Sequence, residues 1–406
     1  MTAFDLSLMV TAVTLMGLYQ WLFRILPRER WQFLATIPTS KISKNDWRGI
    51  NLTLYGFFTA LAGVISCAIF ITLTGAVNVA TGIALLLILA VLAACLPAAK
   101  LIARFVENNP HGFTVGGASF TGIILAPFLL LAADYISKEI YGLALPTVAI
   151  LAAISIAYVA GEGIGRLGCL SFGCCYGKPL SLAPRWIQHA CAHTPHRYSG
   201  KTKKICFAGK MENVDVIPVQ SATCVVFTLL ALISIGLFFH NHFSEALLLS
   251  LIGSQAWRLS SETLRADYRG GNLIENISEE LKKEIGGTNG KRISIYQIMT
   301  ILASIYIVSA LHWLIPPEQN ITAVAHQGFS ALWQPEVILS LQAIGLIMFL
   351  YSGTSTITRA RIQFSMAPNW QQQTEQDLRI ATGAQTLTNH SITTAPRTPR
   401  KPTVVT

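Results

Sequence analysis

The sequence predicts an all-α protein, a bundle of about seven to nine transmembrane helices with polar loops gathered on one face. Three observations carry that reading: few charged residues, nine long apolar runs, and a one-sided distribution of lysine and arginine. Hydrophobic residues fill 52% of the 406 positions and charged ones 12%, with a mean hydropathy of +0.50. That is too little polar surface to clothe a soluble chain of this length.

The apolar runs lie at 6–26, 52–73, 80–98, 117–133, 141–160, 218–239, 245–257, 293–314 and 332–351. Crossing a hydrocarbon core of roughly 30 Å takes about 20 helical residues, and only 245–257 is clearly short. The first run has no Lys or Arg ahead of it and no small-residue cleavage site, so it reads as a retained helix and not a signal peptide.

Assigning the gaps between runs alternately to two sides puts 29 of the 30 basic residues on one side, in 24–50, 99–114, 162–217, 258–292 and after 351. Lys138 is alone on the other. The excess of Lys and Arg in cytoplasmic loops then places the N-terminus outside and these segments in the cytoplasm, in a multi-pass protein of the plasma (inner) membrane. Basic loops beside lipid attract anionic headgroups, at about 1 kcal/mol for each well-placed residue. The positive balance therefore points to a membrane surface, and no nucleic-acid partner is expected.

Four regions follow. Residues 1–50 hold an additional helix and basic loop, 51–315 the main membrane domain, 316–352 a further helix, and 353–406 a tail rich in Thr, Gln, Pro and Arg that is expected to be disordered. Within 258–292 the run 275–284 reads as a short, solvated charged helix with mixed signs.

Gly163-Ile-Gly165-Arg-Leu-Gly168 matches the dinucleotide pattern G-x-G-x-x-G. That pattern needs a strand before it and a βαβ unit around it, whereas here it follows an apolar helix. The glycines instead permit close backbone approach beside Arg166, an arginine at the membrane boundary whose five donors suit a phosphate. Arg258 directly follows another apolar run. Glu262 lies four residues on, at the spacing of an intrahelical ion pair, and Arg265, Asp267 and Arg269 continue the polar series.

Of eight cysteines, five fall between 169 and 206, on the side assigned to the cytoplasm, where free thiols are expected. Cys169, Cys174, Cys175, His189, Cys191, His193, His196 and Cys206 are all ligand types that zinc accepts. Their spacing lacks the paired C-x-x-C or H-x-x-x-H rhythm of structural zinc sites. No metal and no cofactor are expected.

The run Gly165-Arg-Leu-Gly-Cys-Leu-Ser-Phe-Gly-Cys-Cys-Tyr-Gly177 resembles the signature of the prolipoprotein diacylglyceryl transferases, Gly-Arg-x-Gly-Asn-Phe followed by a Gly-containing turn. Leu54-Tyr55-Gly56 resembles that family's Tyr-Gly, and 116–122 its Gly-Gly-x-Ser-Phe-His-Gly. Pro218-Val-Gln220 is similar to its His-Pro-x-Gln, Arg258 to Asp267 to its Arg-x-x-x-Glu-Phe-x-Arg-x-Asp, and Ser294 to Gln297 to its Ser-x-Gly-Gln. The resemblance spans about 52–314 in matching order.

It implies transfer of a diacylglyceryl group from phosphatidylglycerol, or another anionic phospholipid, to a protein thiol acceptor, with release of glycerol phosphate. With the residue readings above, the candidate catalytic residues are Glu262 and Tyr55, and the candidate substrate-binding ones are Arg166, Arg258, Gly165, Gly168, Gly177, Arg265 and Gln297. Thr121 stands where the family has His, Cys169 where it has Asn, and Ile217 and Ala222 where it has His and Tyr. A base is then sought among His111, Glu262 and the thiols of Cys174 and Cys175, with Glu262 favoured. The rival readings are a lipid-binding or lipid-transporting protein without catalysis, and a membrane thiol or metal sensor.

Overall fold

Why so apolar a chain becomes a stack of helices follows from the bilayer, which leaves backbone N–H and C=O groups no partner but each other. A computed structural model of the protein describes residues 2–43, 46–106, 114–267, 294–313 and 321–363. They separate into a helical unit, 1–32 with 54–353, and a second unit made from 33–53 and the chain after 353.

The helical unit contains α1 (Ala3–Ile25), α2 (Leu54–Ala76), α3 (Thr81–Val106), α4 (Val115–Tyr141), α5 (Thr147–Phe172), α6 (Arg185–Cys191), α7 (Lys204–Phe207), α8 (Val219–Phe239), α9 (Phe243–Glu262), α10 (Ile295–Trp313), α11 (Ala325–Leu332) and α12 (Pro335–Gly353). Seven are long and apolar enough to cross a membrane: α1 to α5, α8 and α12. In α10 only the stretch Ile295–Ala310 is sufficiently apolar, and α9 is interrupted by Glu245, Gln255 and Arg258. The all-α multi-spanning bundle expected from the sequence is what the chain forms, each of the nine apolar runs falling on a helix.

Helix α5 is the hub, packed against α2, α8 and α9. Of its apolar window 72% is buried, against 11% for α1. Its sequence explains the position: Ala149, Ala152, Ala153, Ala157 and Ala160 let neighbouring backbones close in, as small residues do where lipid supplies no hydrophobic drive. Polar side chains join the helices across these contacts. Ser66 Oγ donates to the Ala157 carbonyl (2.8 Å), Trp257 Nε1 donates to Thr223 Oγ1 (3.0 Å), Tyr19 Oη pairs with Thr228 Oγ1 (3.0 Å), and Ser155 bonds Ser250.

One boundary differs from the sequence reading in a way that matters. Helix α5 does not stop near 160 but runs to Phe172, so the Gly163 to Gly168 segment is helical and not part of a loop. Burial against α2 and α8 sustains the helix through glycines that would end an exposed one.

The second unit is a three-stranded antiparallel sheet of β1 (Phe33–Lys41), β2 (Asp46–Thr53) and β3 (Thr354–Gln363), with β2 central. Phe33 faces Thr53, Lys41 faces Trp47, and Asp46 faces Gln363. A basic loop and a disordered tail were expected here. The Thr- and Ile-rich run 354–363 has the composition of a strand. The expected helix 275–284, His111, Arg269 and the tail beyond 363 lie outside the described residues.

Candidate functional site

Helices that alternate in direction bring together, at one end of the bundle, the last turns of α5 and α9 and the first turns of α2, α4, α8 and α10. Arg166 lies on α5 and Arg258 on α9, 92 positions apart in sequence, and one carboxylate joins them. Glu162, one turn before Arg166, accepts from Arg166 Nη2 on Oε1 and from Arg258 Nη2 on Oε2. Tyr158 Oη donates to the same Oε2 at 2.7 Å, and the Arg258 guanidinium lies 5.9 Å from the Tyr158 ring centre.

The Glu162 side chain is 3% exposed, and those of Arg166 and Arg258 are 13% and 15% exposed. Two cations therefore share one anion in a largely dry setting. The Nε of each arginine is buried and has no hydrogen-bond partner. Buried donors are nearly always satisfied, so these two mark a place where an acceptor is wanted.

Arg265 follows just beyond α9. Its guanidinium makes two hydrogen bonds to Asp267, from Nε to Oδ1 (2.8 Å) and from Nη2 to Oδ2 (2.6 Å), and lies 4.0 Å from Glu262. The sequence pattern paired Arg258 with Glu262; the partner that holds Arg258 is Glu162, on another helix. Glu262 closes α9.

Gly177 forms a bridge with Arg265, flanked by hydrogen bonds from Lys178 N to Leu264 O (2.9 Å) and from Ala266 N to Tyr176 O (3.0 Å). A Cβ on Gly177 would sit 2.3 Å from the Ile217 carbonyl oxygen, so only glycine lets this segment lie down. Gly168 serves a similar close approach, its missing Cβ falling 3.0 Å from the Tyr55 carbonyl. Gly165 is in ordinary contact with Ala62. Tyr55 opens α2 and meets the Phe172 ring edge to face at 5.9 Å.

Gln297 caps α10: its Oε1 accepts from Ser294 N (3.0 Å) and its Nε2 donates to the Leu259 carbonyl (3.4 Å). The structure thus brings Arg166 and Arg258 together. It places Gly177 with Arg265 beside Glu262, Gly168 against Tyr55, and Gln297 against the last turn of α9. Thr121 lies in α4 between Ser119 and Gly122, both of which line the cavity described next.

A cavity of about 220 Å³ runs inward between α3, α4, α5, α9 and α10. Val91, Ile154, Leu247 and Ile307 make its wall apolar, and Ser119 and Tyr158 supply hydroxyls. Tyr158 is the residue that donates to Glu162, so an apolar channel meets a cationic, hydrogen-bonding cluster. A lipid has those two halves.

Where α5 ends, the Sγ atoms of Cys169, in its last turn, and of Cys174 and Cys175, just beyond it, lie within 4.8 Å of one another, a grouping that the spacing had not suggested. His196 takes an ordinary buried role, its Nε2 paired with Ser221 Oγ at 2.5 Å, and burial pushes its pKa down to about 4.

Lys203 is wholly buried and donates to the carbonyls of Leu26 (3.1 Å) and Ser171, satisfying the ends of α1 and α5. Burial pushes its pKa down to about 7. A neutral amine keeps two N–H donors for two carbonyls. Between pH 7 and about 10.4, the unperturbed lysine value, the unfolded chain holds a proton that the folded chain lacks, so stability rises with pH in that window. The apparent melting temperature in detergent is expected to climb from pH 7 to 10 more steeply in the wild type than in Lys203→Met. Parallel profiles would contradict this.

Sequence reasoning missed Glu162 and Tyr158. The signal was present: an acidic residue inside an apolar run, one helical turn before Arg166, is the i to i+4 spacing that was applied only to Arg258. The family model of prolipoprotein diacylglyceryl transferase matches residues 46–314. No curated protein matches the chain.

Proposed function

The chain belongs to the prolipoprotein diacylglyceryl transferase family, and from that premise we propose that it transfers the diacylglyceryl group of phosphatidylglycerol to a protein cysteine thiol, with Arg166 and Arg258 holding the lipid phosphate. The family implies a membrane diacylglyceryl transferase acting in lipoprotein biosynthesis.

One observation carries it: the unpartnered Nε donors of Arg166 and Arg258 sit around a shared carboxylate beside an apolar cavity. An acyl chain enters the cavity and the lipid phosphate accepts from the two Nε groups. The acceptor sulfur then forms a bond to the glycerol carbon that bears the phosphate oxygen. The carbon–oxygen bond breaks, its electron pair stays with the phosphate, and glycerol phosphate leaves with one more negative charge than it had as a diester. Donors fixed in a dry site stabilise the charge that develops in that step.

The thiol proton must go to a base, and Glu262 is assigned that role. Tyr55 and Gln297 border the site, and Arg265 supports the loop at Gly177. Glu162 positions both arginines and offers no general-base function while it is shared between them.

Purified full-length protein, mixed with labelled phosphatidylglycerol and a lipobox peptide, is expected to give a thioether-linked diacylglyceryl peptide and glycerol phosphate. Lipid retained without product would sink the transferase reading. It would favour a lipid-binding protein, which Thr121 in place of the family's His is the residue to suggest.

The orientation of the site decides the acceptor. Because the site lies at the basic end of the bundle, the charge rule puts it in the cytoplasm, and the acceptor thiol is then not on an exported prolipoprotein. A single cysteine at Ser199, in a background cleared of exposed thiols, is expected to stay unlabelled in intact cells by a reagent that cannot cross the membrane. Labelling there would return the acceptor to the exported class.

A further inference from the structure

We propose that Cys169, Cys174 and Cys175 form a binding site for one thiophilic d10 cation, Zn(II) or Cu(I), held by three thiolates at the end of α5. The inference does not depend on the transferase reading, because it rests on where the chain turns. Helix α5 ends on Gly173 in the left-handed conformation (φ 73°), and Cys175 is left-handed as well (φ 57°). The chain doubles back. Gly173 N (2.9 Å) and Cys174 N (3.1 Å) both donate to the Cys169 carbonyl, and three Sγ atoms converge to within 4.8 Å of one another.

A metal–sulfur bond of about 2.3 Å requires sulfur atoms about 3.8 Å apart in a tetrahedral site and about 4.0 Å apart in a trigonal one. Rotation about the side chains covers the difference. Three soft sulfur donors select Zn(II), Cu(I) or an iron–sulfur cluster over hard cations. One mononuclear ion is the occupant that three converging thiols suit, an iron–sulfur cluster being held by four cysteines.

Two further features favour that occupant. Arg166 and Arg265 face the thiols electrostatically, so the anionic complex that three thiolates make with either ion meets positive charge. Beside the cluster, Gln220 donates from Nε2 to the Cys174 carbonyl (2.9 Å) and lies within hydrogen-bonding reach of the hydroxyl of fully buried Tyr198, which fixes the turn that carries Cys174 and Cys175. Binding converts three thiols to thiolates and releases three protons to solvent. The bound ion ties the last turn of α5, the one after the turn that carries Arg166, to the segment that leads to Gly177.

The test uses the reduced, full-length protein in detergent, titrated with Zn(II) and, separately, with Cu(I) under anaerobic reductant, each against a competing chelator. One equivalent of one of the two ions is expected per chain. The Cys169→Ser, Cys174→Ser, Cys175→Ser triple variant is expected to lose at least about 100-fold in affinity, while Cys191→Ser keeps it. Cobalt added to the wild type is expected to give a thiolate charge-transfer band that the triple variant lacks. Melting of both variants without metal separates lost ligands from lost fold. The proposal is overturned if neither ion binds at one equivalent, or if the triple variant, folded, binds as the wild type does.

Discussion

Replacing Arg166 or Arg258 by lysine is expected to lower kcat/KM for phosphatidylglycerol about 10- to 150-fold, although the positive charge is kept. Each arginine already spends an Nη2 donor on Glu162, so what remains for a phosphate is the unpartnered Nε and the other N–H groups of the guanidinium. Lysine concentrates its donors on one nitrogen. It can meet Glu162 or the phosphate but cannot reproduce a planar fork that meets both. Loss of one hydrogen bond to a charged group is worth about 1.5–3 kcal/mol, which sets the expected range. Full activity in both lysine variants would remove the phosphate clamp.

Glu162→Gln is the second large effect, and it acts first on stability. Glutamine has nearly the same shape, but it leaves two buried guanidinium groups without their shared anion. Removing one partner of a buried pair costs about 3–5 kcal/mol. The unfolding midpoint in neutral detergent is expected to fall accordingly. Phosphatidylglycerol is expected to restore more of the variant's stability than phosphatidylcholine does, since an anion that binds only the folded state stabilises it by mass action. A variant as stable as the wild type would show that the two arginines do not depend on Glu162.

Much of the architecture was legible because a bilayer imposes a coarse rule, length and apolarity, that a single sequence displays. All nine apolar runs coincide with helices, and the sorted charges mark the end of the bundle where the cluster lies. What escaped detection depended on packing. The Gly163 to Gly168 segment looked like the start of a loop, and burial against α2 and α8 keeps it helical. Strand β3 pairs with β2 some 300 positions away, a contact that no local pattern announces.

The site was legible in its cations and not in its anion. Arg166 and Arg258 stood out as costly charges at the edges of apolar runs. Glu162 did not, because Glu262 sat at an equally good spacing from Arg258 and drew the pairing. The three thiols were counted, yet their convergence depends on left-handed backbone at Gly173 and Cys175, and a non-glycine residue gives no warning of that conformation.

The most direct measurement is an experimental map of the protein in lipid nanodiscs rich in phosphatidylglycerol. Phosphate density is expected within hydrogen-bond distance of the Nε atoms of both Arg166 and Arg258, with an acyl chain in the cavity lined by Val91, Ile154 and Leu247. A bound headgroup located elsewhere, with both arginines still engaged only by Glu162, would contradict the phosphate clamp.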